Sequence, residues 1–136
     1  MKFKGTYILI WSENPDKLME FYRDVLQLPF NNKTDIPAKD GVEADYGYEF
    51  QLTNSMQLWI GRHGSIVGKS KEPVRIMHNL FTDEVQKWYE KVKNAGCTIL
   101  QIPIKTPFYS EKCKWYVSTF LDPDGNCWQF MGELGK

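Results

Sequence analysis

A chain of 136 residues has the size of one hydrophobic core, so the sequence is expected to fold as a single domain. Seventeen basic and seventeen acidic residues cancel, which removes the electrostatic case for binding nucleic acid or an anionic membrane, and the densest basic stretch, Lys69, Lys71 and Arg75, is interrupted by Glu72. Met1 to Gly5 lacks the apolar stretch of a signal peptide, no apolar run approaches the ~20 residues of a membrane span, and Cys97, Cys113 and Cys127 form no CxxC pair, so the expectation is a soluble cytoplasmic protein with reduced thiols.

Thr6 to Trp11 is a β-branched and aromatic run and reads as a strand. Asn14 can cap a helix with Pro15 at its first position. From Asp16 to Leu28 the residues Leu18, Met19, Phe21, Tyr22, Val25 and Leu26 recur at three and four, which predicts one amphipathic helix ended by Pro29. Asn31 to Gly41 offers a weaker strand and a polar loop. Tyr46 to Thr53 and Met56 to Ile60 read as two strands joined at Asn54-Ser55. Glu43, Asp45 and Glu49 alternate with Tyr46, Tyr48 and Phe50, so the acidic set is expected on an exposed strand face.

The plan then repeats. Val74 to Phe81 is a strand, Thr82-Asp83-Glu84 a helix start, and Val85, Trp88, Tyr89, Val92 and Ala95 a helical stripe that stops at Gly96. Cys97 to Ile102, Lys114 to Leu121 and Cys127 to Met131 follow as strands, with an Asp122-Pro123-Asp124-Gly125 turn between the last two. Each half therefore reads strand, helix, three strands, as module one about 1–66 and module two about 72–136. One such half cannot cover its own sheet, so pairing two halves is the economical way to bury them. Five Trp, seven Tyr and eight Phe make 15% of the chain aromatic, which favours an apolar pocket because these rings combine large area with polar tips.

Ser12 through Leu28, with Phe21-Tyr22 followed by Val25-Leu26, resembles the first-helix signature of the vicinal oxygen chelate superfamily, which includes glyoxalase I, extradiol dioxygenases and bleomycin-resistance proteins. Phe120-Leu121-Asp122-Pro123-Asp124-Gly125-Asn126-Cys127-Trp128-Gln129-Phe130 is similar to its closing hairpin, and Val85 through Cys97 matches as well. Gln27 stands where the family usually has Gly. The resemblance implies an α+β fold whose two βαβββ modules form a curved, barrel-like sheet with helices outside and a ligand cavity within.

Metal-dependent members present His, Gln or Glu from four strand positions. Counting from the motifs, these fall at Tyr7 or Thr6, near Leu58 in Gln57-Leu58-Trp59, at Val74 or Arg75, and at Gln129. Gln129 alone could coordinate, and a lone amide oxygen is a poor anchor. No metal or other cofactor is therefore expected. His63, in a Gly61-Arg62-His63-Gly64 turn, and His78, at a strand exit, read as rim residues. Cys113 between Lys112 and Lys114 reads as a surface thiol, and no phosphate loop, nucleophile elbow or zinc-protease helix occurs.

By the resemblance the cavity lining is expected to include Tyr7, Trp11, Leu58, His78 and Gln129. Tyr48, Trp59, Phe108, Tyr109 and Trp115 are further candidates whose face depends on register. The favoured expectation is a metal-free protein binding a small aromatic or amphipathic molecule, with no catalytic residue assigned. A metal-dependent lyase or dioxygenase and a ligand-sensing module partnered with a regulator stay open as alternatives. The family also implies a homodimer, and neither nucleic acid nor membrane is an expected partner.

Overall fold

The same order of elements occurs twice along the chain. In the computed structural model, which describes residues 2–41 and 43–136, contacts divide the protein into two units, Met1–Gly68 and Lys69–Lys136. The first runs β1 (Tyr7–Ser12), α1 (Pro15–Glu20), β2 (Phe30–Ile36), β3 (Asp45–Thr53) and β4 (Met56–Arg62). The second runs β5 (Met77–Phe81), α2 (Val85–Asn94), β6 (Thr98–Lys105), β7 (Trp115–Leu121) and β8 (Cys127–Glu133). The fold is α+β, made of two βαβββ modules.

Each unit holds one four-stranded mixed sheet, ordered β1-β4-β3-β2 in the first and β5-β8-β7-β6 in the second. The first and last strands of each module pair in parallel and the remaining pairs are antiparallel. The helix carries the chain across one face of its sheet to the far edge, and neither sheet closes on itself.

The first helix starts where its cap dictates. The Asn14 side chain accepts a hydrogen bond from the Lys17 amide at 3.3 Å, Ser12 Oγ accepts from the Asn14 amide at 3.1 Å, and Pro15 occupies the first turn, where its missing N–H costs nothing. The single helix expected to Leu28 is shorter and changes pitch. After Glu20 it continues as a π-helical turn, Phe21–Val25, in which the Leu26 amide reaches back to the Phe21 carbonyl at 3.1 Å. Phe21 and Tyr22 are both buried there and meet edge to face at 5.1 Å.

The chain leaves this turn through Gln27 at φ 55°, a left-handed conformation that glycine adopts without penalty and other residues do not. The strand expected from Val74 begins instead at Met77. Residues 72–75 form a turn in which the Arg75 amide donates to the Glu72 carbonyl at 3.2 Å and its guanidinium clasps the Glu72 carboxylate.

In the first unit the core lies between α1 and the sheet. Leu18, Met19 and Tyr22 pack with the buried Ile10, Phe50, Leu58 and Ile60. In the second, Val85, Val92 and Trp88 cover Phe120, Trp128 and Phe130, with Trp88 stacked on Phe130 at 5.8 Å and Phe120 on Phe130 at 4.9 Å. Burying one such side chain contributes about 1.5–3 kcal/mol. At the rim of the first core the phenols of Tyr46, at 3.0 Å, and Tyr48 both donate to the Asp16 carboxylate of α1. Lys33 Nζ lies 5.1 Å from the Tyr46 ring and 5.8 Å from the Tyr48 ring. Tyr48, a candidate for the cavity lining, is therefore on the helix side.

Two measurements test this packing. Gln27→Gly is expected to stabilise the fold by about 1 kcal/mol, raising the urea midpoint at unchanged m-value, because it removes the left-handed strain. The Tyr48 phenol is pushed up from its ordinary 10.0 to about 12 by its hydrogen bond to Asp16, then by burial. A raised pKa means that this contact stabilises the fold fully below about pH 10 and loses that effect as pH climbs toward 12. Asp16→Asn is expected to flatten that alkaline loss of stability, and an unchanged slope in urea midpoints against pH would show that the contact does not form.

Candidate functional site

Side chains alternate along a strand, so a helix on one sheet face sends every second residue to the other. In the first unit the Tyr46, Tyr48 and Phe50 set and its partners Leu58 and Ile60 lie under α1. The opposite, helix-free face carries Tyr7, Leu9 and Trp11 from β1, Gln57, Trp59 and Gly61 from β4, and Gly47, Glu49 and Gln51 from β3. Register brings them together: Tyr7 beside Gln57, Leu9 beside Trp59, Trp11 beside Gly61, and Trp59 beside Glu49.

Trp59 lies flat on a floor made by two glycines. A Cβ added at Gly61 would sit 2.0 Å from the indole, and one at Gly47 2.1 Å, so no residue but glycine fits beneath the ring. Trp11 closes over it edge-on at 5.2 Å, and His63 meets Trp11 at 5.1 Å. The imidazole is held in turn by Ser65, whose amide donates to Nδ1 at 3.2 Å and whose hydroxyl lies 2.7 Å from it. These covers leave Trp59 only 7% exposed on a face where Leu9 is 53% exposed.

A polar strip borders the aromatic group. Glu49 accepts from the Tyr7 hydroxyl, from Asn31 Nδ2 at 2.9 Å and from Asn32 Nδ2 at 3.5 Å. Asn31 also donates to Gln51 at 3.2 Å, and Gln57 to Gln51 at 3.4 Å. Burial, then the hydrogen bond to Glu49 and its charge, push the Tyr7 phenol well above its ordinary range, so Tyr7 stays a protonated donor at physiological pH.

The second unit repeats the division. Trp128, Phe130, Phe120 and Ser118 are buried on the helix side, and His78, paired with Trp128, sits there with its ring 4.6 Å away. Burial lowers the His78 pKa and keeps it neutral. On the helix-free face Gln129 contacts Thr119 at 3.3 Å and donates to Asn79 at 3.4 Å. Phe81, Trp115 and Phe108 form an aromatic row there, at 5.7 and 6.2 Å. Tyr109 lies elsewhere, edge-on to Tyr116 at 5.6 Å. It lines an open cleft of about 750 Å³ in which Lys112, Lys114 and Lys136 mix with Asp83, Glu84, Glu111 and Glu133.

Of the residues expected to line a cavity, Tyr7, Trp11 and Trp59 share one helix-free face, and Gln129, Trp115 and Phe108 share the other. Leu58 and His78 lie on the helix side, since a shift of one residue reverses a strand's faces. On the helix-free faces Gln57 lies beside Tyr7, and Asn79 lies beside Gln129. Sequence reasoning assigned Glu49 to an exposed strand face but missed its partners Tyr7, Asn31 and Asn32.

The residues present do not fit the divalent metal of the metal-dependent members. Among the described residues no three of His, Cys, Asp and Glu gather to hold an ion. Gln129 is engaged by Thr119 and Asn79. Neither Cys97 nor Cys127 is set up as a nucleophile: burial, then the charge of Asp122, pushes the Cys97 thiol up to about 11, and burial raises that of Cys127.

A family model described as the Glyoxalase/Bleomycin resistance protein/Dioxygenase superfamily matches residues 6–130. Among solved structures, TioX from Micromonospora sp. ML1 is 15% identical, with 97% of this chain and 100% of that one covered and a TM-score of 0.67. A glyoxalase family protein from Enterococcus faecalis is 15% identical, with 96% of each chain covered and a TM-score of 0.66. Glyoxalase I from Zea mays is 14% identical with a TM-score of 0.70, and the match covers 93% of this chain but 43% of the maize chain. At such identities the likeness shows the fold. A search of curated proteins by sequence finds no match.

The glycine floor gives a direct test. Gly61→Ala places a methyl where the Trp59 ring lies, and is expected to cost about 1–3 kcal/mol and to red-shift tryptophan emission as the indole is displaced into water. Unchanged thermal stability and emission would show that Trp59 does not lie on the sheet.

Proposed function

This chain belongs to the glyoxalase/bleomycin resistance protein/dioxygenase superfamily, and on that premise we propose that it works without a metal, holding a small, partly aromatic or amphipathic molecule in a binding or resistance-type role. One observation carries this reading: on the first unit's helix-free face the exposed Tyr7 and Leu9 and the half-buried Trp11 border a polar strip already hydrogen-bonded around Glu49. An apolar surface with a few fixed polar groups suits a small ligand, because pre-paired groups need little reordering on binding.

Binding is favoured over catalysis by the chemistry of the ligand-equivalent positions. Tyr7 is held as a hydroxyl donor and Gln129 is an amide, so neither supplies a base. The second unit adds an aromatic row and the Gln129 amide. The exposed Leu9, Met77, Phe81 and Phe108 support a homodimer in which a second copy covers apolar surface. The thiols, none of them in a disulfide, support a cytoplasmic setting. No helix among the described residues is long and apolar enough to cross a membrane.

Metal analysis by mass spectrometry on protein purified without chelator, followed by thermal shift against aromatic ligands, tests the proposal. The expected outcome is no stoichiometric metal, no shift on adding nickel, manganese, zinc or iron, and a raised Tm with an aromatic ligand. A ligand at a hundred times its Kd stabilises by about 2.7 kcal/mol. Trp11→Ala is expected to abolish that shift. Stoichiometric metal would overturn the metal-free reading in favour of a lyase or dioxygenase.

A further inference from the structure

Among the described residues the Glu49 carboxylate has no ion-pair partner. It is fixed by three neutral donors, Tyr7, Asn31 and Asn32, and the ion pairs present join Arg23 to Asp24, Lys33 to Asp35, Arg75 to Glu72, Lys87 to Glu84 and Lys114 to Glu111. The lysine closest in the sheet, Lys33 of β2, leans to the helix side over Tyr46 and Tyr48. Neutral donors hold a carboxylate in place without cancelling its charge, and the surrounding apolar face screens that charge less than open water does.

We propose that Glu49 is the recognition point for a cationic ligand, a protonated amine or amidine carried on a flat apolar body that lies against Tyr7, Leu9 and Trp11. This rests on the binding reading above and narrows its ligand class. Tyr7, Asn31 and Asn32 act as positioning residues: they hold the carboxylate at the edge of the aromatic surface, across the register from Trp59. An ammonium group there gains charge-assisted hydrogen bonds from a carboxylate that is already ordered. An anionic ligand is repelled. A neutral isostere keeps the apolar contact and forgoes the charge.

Three probes of one shape separate these terms: 1-naphthylmethylamine, 1-naphthylmethanol and 1-naphthylacetate, titrated calorimetrically at neutral pH against the full chain. The amine is expected to bind about tenfold more tightly than the alcohol, and the acetate more weakly than either. Glu49→Gln is expected to bring the amine down to the alcohol's affinity while leaving the alcohol unchanged, and Tyr7→Phe to keep the amine preference because the charge remains. Equal binding of amine and alcohol by the wild type overturns the cation assignment and leaves the aromatic-binding reading standing. Failure of all three probes to bind overturns both. An amine preference that survives Glu49→Gln overturns the role of Glu49. If circular dichroism shows Glu49→Gln unfolded, Glu49→Asp, which keeps the charge, and the salt dependence of the wild-type preference decide. A preference that weakens as salt rises supports the proposal, and a salt-independent one overturns it.

Discussion

One helix packed on one face of a four-stranded sheet constrains what each strand residue can do. In the first unit α1 takes Ile10, Phe50, Leu58 and Ile60 into the core, and Asp16 fixes the rim of that contact by accepting from both Tyr46 and Tyr48. Once those residues face the helix, alternation sends Tyr7, Gln57, Trp59 and Glu49 to the other side. The same logic in the second unit puts Trp128 and Phe130 under α2 and leaves Gln129 and Asn79 outside. The placing of the candidate sites therefore follows from core packing.

Local chemistry then shapes the helix-free face of the first unit. Trp59 would be a large exposed indole on a bare sheet. Gly47 and Gly61 let it lie down, Trp11 covers it, and His63 steadies Trp11. Beside this group the Glu49 network spends the hydrogen-bonding capacity of Tyr7, Asn31 and Gln51 on one another. Such pre-pairing lowers the ordering cost of a ligand.

Features that depend on neighbours in sequence were legible without coordinates. Asn14 and Pro15 mark the helix start because a cap acts within a turn, the repeated order of elements is carried by periodicity, and Phe21-Tyr22 with the Asp122 to Gly125 turn carries the family resemblance. The change to a π-helical turn after Glu20 was not legible, since Phe21 through Leu26 satisfies helical periodicity either way. Gln27 could be flagged as a departure from glycine, but its left-handed φ is a property of the folded turn.

The sequence by itself determined which elements form, in what order, and that Glu49 belongs to an exposed strand face, because these follow from alternation, caps and turn residues within a few positions. Only the tertiary structure decided which face each strand turns to the helix, and so separated Leu58 from Trp59 and His78 from Asn79. It alone joined Tyr7 to Glu49 across 42 positions of sequence. The physical reason is that a strand repeats every two residues, so an uncertainty of one position leaves the pattern intact and reverses its meaning, and only a partner packed on one face can break that symmetry.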